Sequence, residues 1–132
     1  MPYGFPRWGI MLSLLSLCVG CGGVRTKTPD GIPVTMDEQQ FGSYVEQVFR
    51  HHNAVVNELL FLPDYQDDRN SPLGRAEAKM AFACLPLNDV VAASALGQNT
   101  SIWARMTLSQ AVPDCEAATR AVEGLMKGSQ QP

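Results

Sequence analysis

The sequence predicts an all-α domain, a small bundle of four to five helices with one disulfide. Three observations lead there. Apolar residues recur at helical spacing in each segment long enough to show a period. Pro, Gly and Asn separate those segments. No run alternates polar and apolar residues as a half-buried strand would, and no internal repeat is present.

The first helix spans about residues 36–61. Thr35, Met36, Asp37 and Glu38 read as a capping box, in which the Thr35 hydroxyl accepts a backbone N–H and Glu38 reaches back. Asp37 and Glu38 also suit the positive end of the helix dipole. The apolar stripe is Phe41, Tyr44, Val45, Val48, Val55, Val56, Leu59 and Leu60. Glu46 and Arg50 form an i,i+4 pair on the polar face. His52 stands in the stripe and His51 at its edge. Neighbouring side chains diverge by about 100° on a helix, so the two cannot chelate from one face. The metalloprotease spacing, His at i and i+4 with Glu between, is also missing. His52 is then either a core histidine bonded to a partner or a candidate ligand or partner contact.

The stretch LPDYQDDRNSP breaks this helix. Asp64, Gln66, Asp68 and Asn70 partly match a calcium loop, but Arg69 stands where the turn glycine belongs and Arg75 where the terminal glutamate belongs. The stretch reads as a solvated loop. Ser71 and Pro72 then give an N-cap followed by Pro at the first helical position. Leu73, Ala76, Met80, Ala83 and Cys84 line the second helix, which Pro86 stops or kinks. Asn88 caps a short third helix through Val90, Val91 and Ala95, ended by Gly97. Asn99 or Thr100 caps a fourth, with Ile102, Trp103 and Met106. Trp103 and Phe82 suit interhelical packing; an exposed Trp103 would instead be an aromatic anchor for a partner. Pro113 and Asp114 open a fifth helix striped by Cys115, Ala118, Val122, Leu125 and Met126. The helical domain is residues 35–128, and residues 129–132 are a disordered tail.

The N-terminus has a different character. Arg7 is the only charged residue before Cys18, and WGIMLSLLSL is a short apolar run, too short to span a bilayer of ~20 helical residues. Small residues follow at Gly20, Gly22 and Gly23. Residues 1–20 thus read as a secretory signal peptide. The pair Cys18 and Cys21 in SLCVGCGG does not follow a strand, so it is not a thioredoxin-type redox motif.

CVGC, with Cys21 directly after Gly20, resembles the lipobox of bacterial lipoproteins, although Cys18 stands where Leu is usual. The resemblance implies that Cys21 is lipidated and becomes the N-terminus of a chain anchored in the membrane and facing the periplasm. Gly22 in place of Asp points to the outer membrane. Residues 21–34, Gly- and Pro-rich, read as a flexible tether. Cleavage removes Arg7 and leaves the mature chain one unit more acidic than the −3 of the full sequence. That balance excludes nucleic acid, which needs a clustered basic surface.

Cys84 and Cys115 remain in an oxidising compartment and fall on apolar faces, which suits a disulfide. Two buried thiols or a thiolate metal site are the alternatives. No nucleophile elbow, phosphate loop or dinucleotide fingerprint is present, so no catalytic residue, cofactor or metal ligand set is predicted. The layout resembles that of the pilotins of type II secretion, small lipoproteins with a disulfide-bonded helical domain that escort a secretin. No motif is shared, so no residue roles transfer. The expected function is a lipid-anchored periplasmic adaptor, an assembly or accessory factor of a secretion, pilus or conjugation machine with a protein partner in the envelope. The expected binding mode is a groove between helices that takes a partner's amphipathic helix. The alternative is a periplasmic lipoprotein that binds a small ligand or metal.

Overall fold

A computed structural model describes residues 22–62, 69–98 and 101–129, apart from the side chain of Trp103. Residues 1–20, read as a signal peptide, Cys21, Asp64, Gln66, Asp68 and residues 130–132 of the expected 129–132 tail lie outside the described residues, while Ser129 of that tail closes the last helix. The element order is β1 (Val24–Lys27), β2 (Pro33–Met36), α1 (Glu38–Leu60), α2 (Pro72–Ala95) and α3 (Ile102–Ser129). The fold is mostly helical with one disulfide, as expected, but the described residues form three helices rather than four to five. The small β-hairpin was not expected.

The hairpin occupies the stretch read as a tether. Val24, Arg25, Thr26 and Lys27 pair antiparallel with Met36, Thr35, Val34 and Pro33. Thr28, Pro29, Asp30 and Gly31 make the turn. The Gly31 N–H donates to the Thr28 carbonyl at 2.9 Å, and Gly31 takes φ +86°, the left-handed conformation that favours glycine. Thr35 is therefore a strand residue opposite Arg25. The helix cap moves two residues on, to Asp37. Its carboxylate accepts the Gln40 N–H at 2.7 Å, while the Gln40 side chain accepts the Asp37 N–H at 3.0 Å.

Helix α1 buries Phe41, Val48, His52, Val55 and Leu59. Leu60, expected in the stripe, is exposed. Helix α2 opens at Ser71, whose hydroxyl accepts the Gly74 N–H at 3.0 Å, with Pro72 at its first position. It closes at Gly97, φ +72°, where the N–H groups of Gly97 and Gln98 return to the Ser94 and Ala93 carbonyls. Pro86 lies inside α2 instead of ending it, so the separate third helix does not exist. Pro86 frees the carbonyl of Phe82, on an exposed turn that water reaches.

Pro113 likewise lies inside α3, joining the expected fourth and fifth helices. It is fully buried, and its missing N–H strands the carbonyl four residues back, Ser109. The Thr26 hydroxyl on β1 donates to that carbonyl at 2.6 Å. The hairpin thus satisfies the group that the proline releases. A Lys27–Asp114 ion pair at 2.8 Å, partly exposed, lies beside it. Thr26→Val should cost about 1–2 kcal/mol by leaving a partly buried carbonyl unpaired. The cost should shrink when Pro113→Ala restores the helical N–H. Denaturant melts of the four chains of this double-mutant cycle check it; equal costs in both backgrounds would deny the coupling.

Helices α2 and α3 share the largest interface, and α1 packs mainly on α3. The core holds Leu59, Met80, Leu87, Val112 and Val122, with Phe41 and Met126 towards its ends. Tyr44 on α1 donates to Glu116 on α3 at 2.6 Å, and Arg120 takes the other carboxylate oxygen at 2.5 Å, so this buried carboxylate is paired. Among the described residues no helix is long and apolar enough to cross a membrane.

Candidate functional site: an alanine-floored groove above a buried cysteine–histidine cluster

Small residues line one side of the α2–α3 contact: Ala76 and Ala83 on α2, and Ala111, Ala117, Ala118 and Ala121 on α3. The Cα atoms of Cys84 and Cys115 are 4.6 Å apart and their sulfurs are bonded at 2.01 Å. The disulfide joins α2 to α3, and both cysteines are fully buried.

The same alanines floor an open groove of about 630 Å³ along α2 and α3. Phe82, Lys79, Pro86, Gln110 and Asp114 complete its walls. Phe82, expected in interhelical packing, is 80% exposed. Leu85, one turn on, is also exposed, so α2 offers two large apolar side chains to solvent. The walls carry one charge of each sign, Lys79 on α2 and Asp114 on α3. A narrower pocket of about 320 Å³ lies between Val24, Phe41, Val45, Val90, Val91 and Leu108, with the Glu38–Arg105 ion pair, 2.6 Å, among its lining.

His52 takes no part in the groove. It faces the core, 5% exposed, and one imidazole nitrogen lies within 4.8 Å of both cysteine sulfurs. Its Nδ1 is buried and meets no hydrogen-bond partner among the described residues, unlike the bonded core histidine that is one expectation for this position. Burial holds the imidazole below the usual histidine range, and neighbouring His51 adds to this. His51 sits at the helix edge, 3.2 Å from Glu123, which Lys127 also holds at 2.8 Å. Thr119, fully buried, places its hydroxyl 3.8 Å from Cys84 Sγ.

A pH dependence follows. Below about pH 6.5 the unfolded chain protonates His52 while the folded chain does not. The unfolded state then binds more protons, so stability falls as pH drops through that range. Melting curves at pH 7 and pH 5 should show the loss, and His52→Leu should flatten it. An unchanged slope in that variant would assign it to other groups.

Of the sequence-predicted site residues, Cys84, Cys115 and His52 are brought together in the core. Cys21 lies outside the described residues. Trp103 belongs to α3, with its side chain outside the description. Sequence reasoning assigned Ala76, Ala83 and Ala118 to buried faces, but not the groove they border. Its signal was the recurrence of alanine at helical spacing in two segments that turn out to be neighbours. Comparison with known proteins returns no matching family, no matching characterised protein and no matching solved structure.

Proposed function

We propose that this protein is a lipid-anchored periplasmic adaptor whose α2–α3 groove takes an amphipathic helix of an envelope protein, in the assembly of a secretion, pilus or conjugation machine. The groove carries the reading. Its alanine floor lets a third helix approach closely, and Phe82 and Leu85 offer apolar surface that the domain itself leaves uncovered. Exposed aromatic side chains are the residue class that anchors interfaces. Lys79 gives an incoming helix a positive charge to match, while Asp114 across the groove is already paired with Lys27. Anchoring rests on Cys21, and the hairpin that follows ties the anchored end to α3 through Thr26 and Lys27.

A photo-crosslinking residue placed at Ala121, in the groove, or at Asn57, on the exposed face of α1, tests this in intact envelopes. One partner should crosslink from position 121 and not from 57. A Cys21→Ser chain should lose the membrane fraction and the crosslink together. Equal crosslinking from both positions would remove the groove from the mechanism.

A further inference from the structure

We infer that Cys84, Cys115 and His52 form a latent metal site, closed by the disulfide and opened by its reduction, for a borderline-soft divalent ion such as zinc. Two thiolates and one imidazole are a donor set that zinc takes, with a fourth position left for water. One His52 nitrogen and both sulfurs already lie within 4.8 Å of one another. Zinc–sulfur bonds of ~2.3 Å in tetrahedral geometry put two sulfurs about 3.8 Å apart. The two sulfurs must therefore separate from their bonded distance, while the imidazole closes by at most about an ångström.

The second, independent observation is the histidine itself. His52 is 5% exposed and its Nδ1 meets no partner among the described residues, although a buried polar atom without a partner is destabilising. No described residue supplies that partner, and the ring stands beside both sulfurs, where a metal would bind it. Thr119 adds support from outside the coordination shell. Its hydroxyl, 3.8 Å from Cys84 Sγ, can donate to a thiolate there. Charge favours the closed set too. Two buried thiolates alone would be an uncompensated pair of charges, whereas a divalent ion neutralises them.

The chemistry balances in two steps. A dithiol reductant gives two electrons and two protons to the Cys84–Cys115 bond, leaving two thiols and the reductant's own disulfide. The ion then displaces both thiol protons and binds two thiolates and neutral His52. A disulfide oxidant then takes two electrons from the two thiolates and, with two protons, becomes a pair of thiols, while the Cys84–Cys115 bond re-forms and the ion leaves. The site is thus a property of the reduced chain and is independent of the groove.

The test uses the full chain with Cys18→Ser and Cys21→Ser, so that only Cys84 and Cys115 supply thiols. Cobalt(II) is added before and after reduction by a water-soluble phosphine, under exclusion of oxygen. The reduced chain should take one equivalent, with thiolate-to-cobalt charge-transfer absorption, a tetrahedral ligand-field spectrum and release of two protons. The oxidised chain should show none of these. His52→Gln should weaken binding tenfold or more and change the spectrum. An unchanged affinity and spectrum in that variant, an octahedral spectrum, or equal uptake by the oxidised chain would overturn the proposal. If reduction unfolds the chain, metal should restore the helical circular dichroism, and less so with His52→Gln. Failure to restore it would overturn the proposal equally.

Discussion

Replacing both Cys84 and Cys115 with alanine is expected to lower stability by about 3–4 kcal/mol. The bridge closes a loop 31 residues apart in sequence, and its removal returns that loop's freedom to the unfolded chain. Two further consequences add to it. Both positions are fully buried, so alanine leaves space where two sulfurs stood. The bridge also pins α2 to α3 at the centre of their interface, beside Leu87 and Val112. With a midpoint shift of about 4–8 °C per kcal/mol in a domain this size, thermal melts should fall by roughly 12–30 °C. The double replacement is the right comparison, because a single one leaves the other thiol buried without its partner. A fall under about 5 °C would mean that the three helices hold together by packing alone and that the unfolded chain is already compact.

Closing the groove should have the second large effect, on binding rather than on stability. Ala121 is exposed on the α3 wall, so Ala121→Arg fills the groove without touching the core. Capture of the envelope partner should fall below detection. Phe82→Ala removes the exposed aromatic ring, and an anchor of that kind is worth about 2 kcal/mol or more, close to a thirtyfold loss of affinity. Neither change should move the melting midpoint appreciably, since both side chains face solvent. Partner capture at the wild-type level by Ala121→Arg would place the interface elsewhere on the domain. The exposed Ile102 and Met106, one turn apart near the start of α3, would then be the next surface to block.

Much of the helical architecture was legible in the residues. The stripe of α1 is long and strictly periodic, so its existence and its buried face follow from spacing. Ser71 with Pro72 and Gly97 mark their helix ends through chemistry that acts within a few residues. The pairing of Cys84 with Cys115 followed from their number and their apolar surroundings, and the structure joins them. His52 was placed on the core face of α1 by the same periodicity. Its distance from the sulfurs was not legible, because the stripe gives a face and not the neighbour that the face meets.

The misreadings share a cause. Thr35 carries a good capping side chain, and so does Asp37 with Gln40 three residues later. The choice between them was made by β1, which takes Thr35 into a ladder opposite Arg25. The turn residues Thr28 to Gly31 are a hairpin signal in their own right. The flanking strands have four residues each, too few to display alternation beside that signal. Phe82 was expected in packing because aromatic side chains usually bury. It is exposed because small alanines, rather than large apolar side chains, line that side of the α2–α3 interface.

By itself the sequence determined a helical domain, the helix ends marked by local chemistry, and the apolar faces that carry Cys84, Cys115 and the α1 stripe. These depend on interactions reaching three or four residues along the chain, so spacing is enough to specify them, whereas the bridge joins residues 31 apart and needs the two helices to meet. Only the tertiary structure decided the number of helices, the groove and the company His52 keeps. Pro113 shows why. A proline inside a helix strands one carbonyl, and whether the helix continues depends on what else can reach that carbonyl. Here a hydroxyl 83 residues earlier in the chain, on Thr26, reaches the carbonyl of Ser109. No local pattern around Pro113 could announce it.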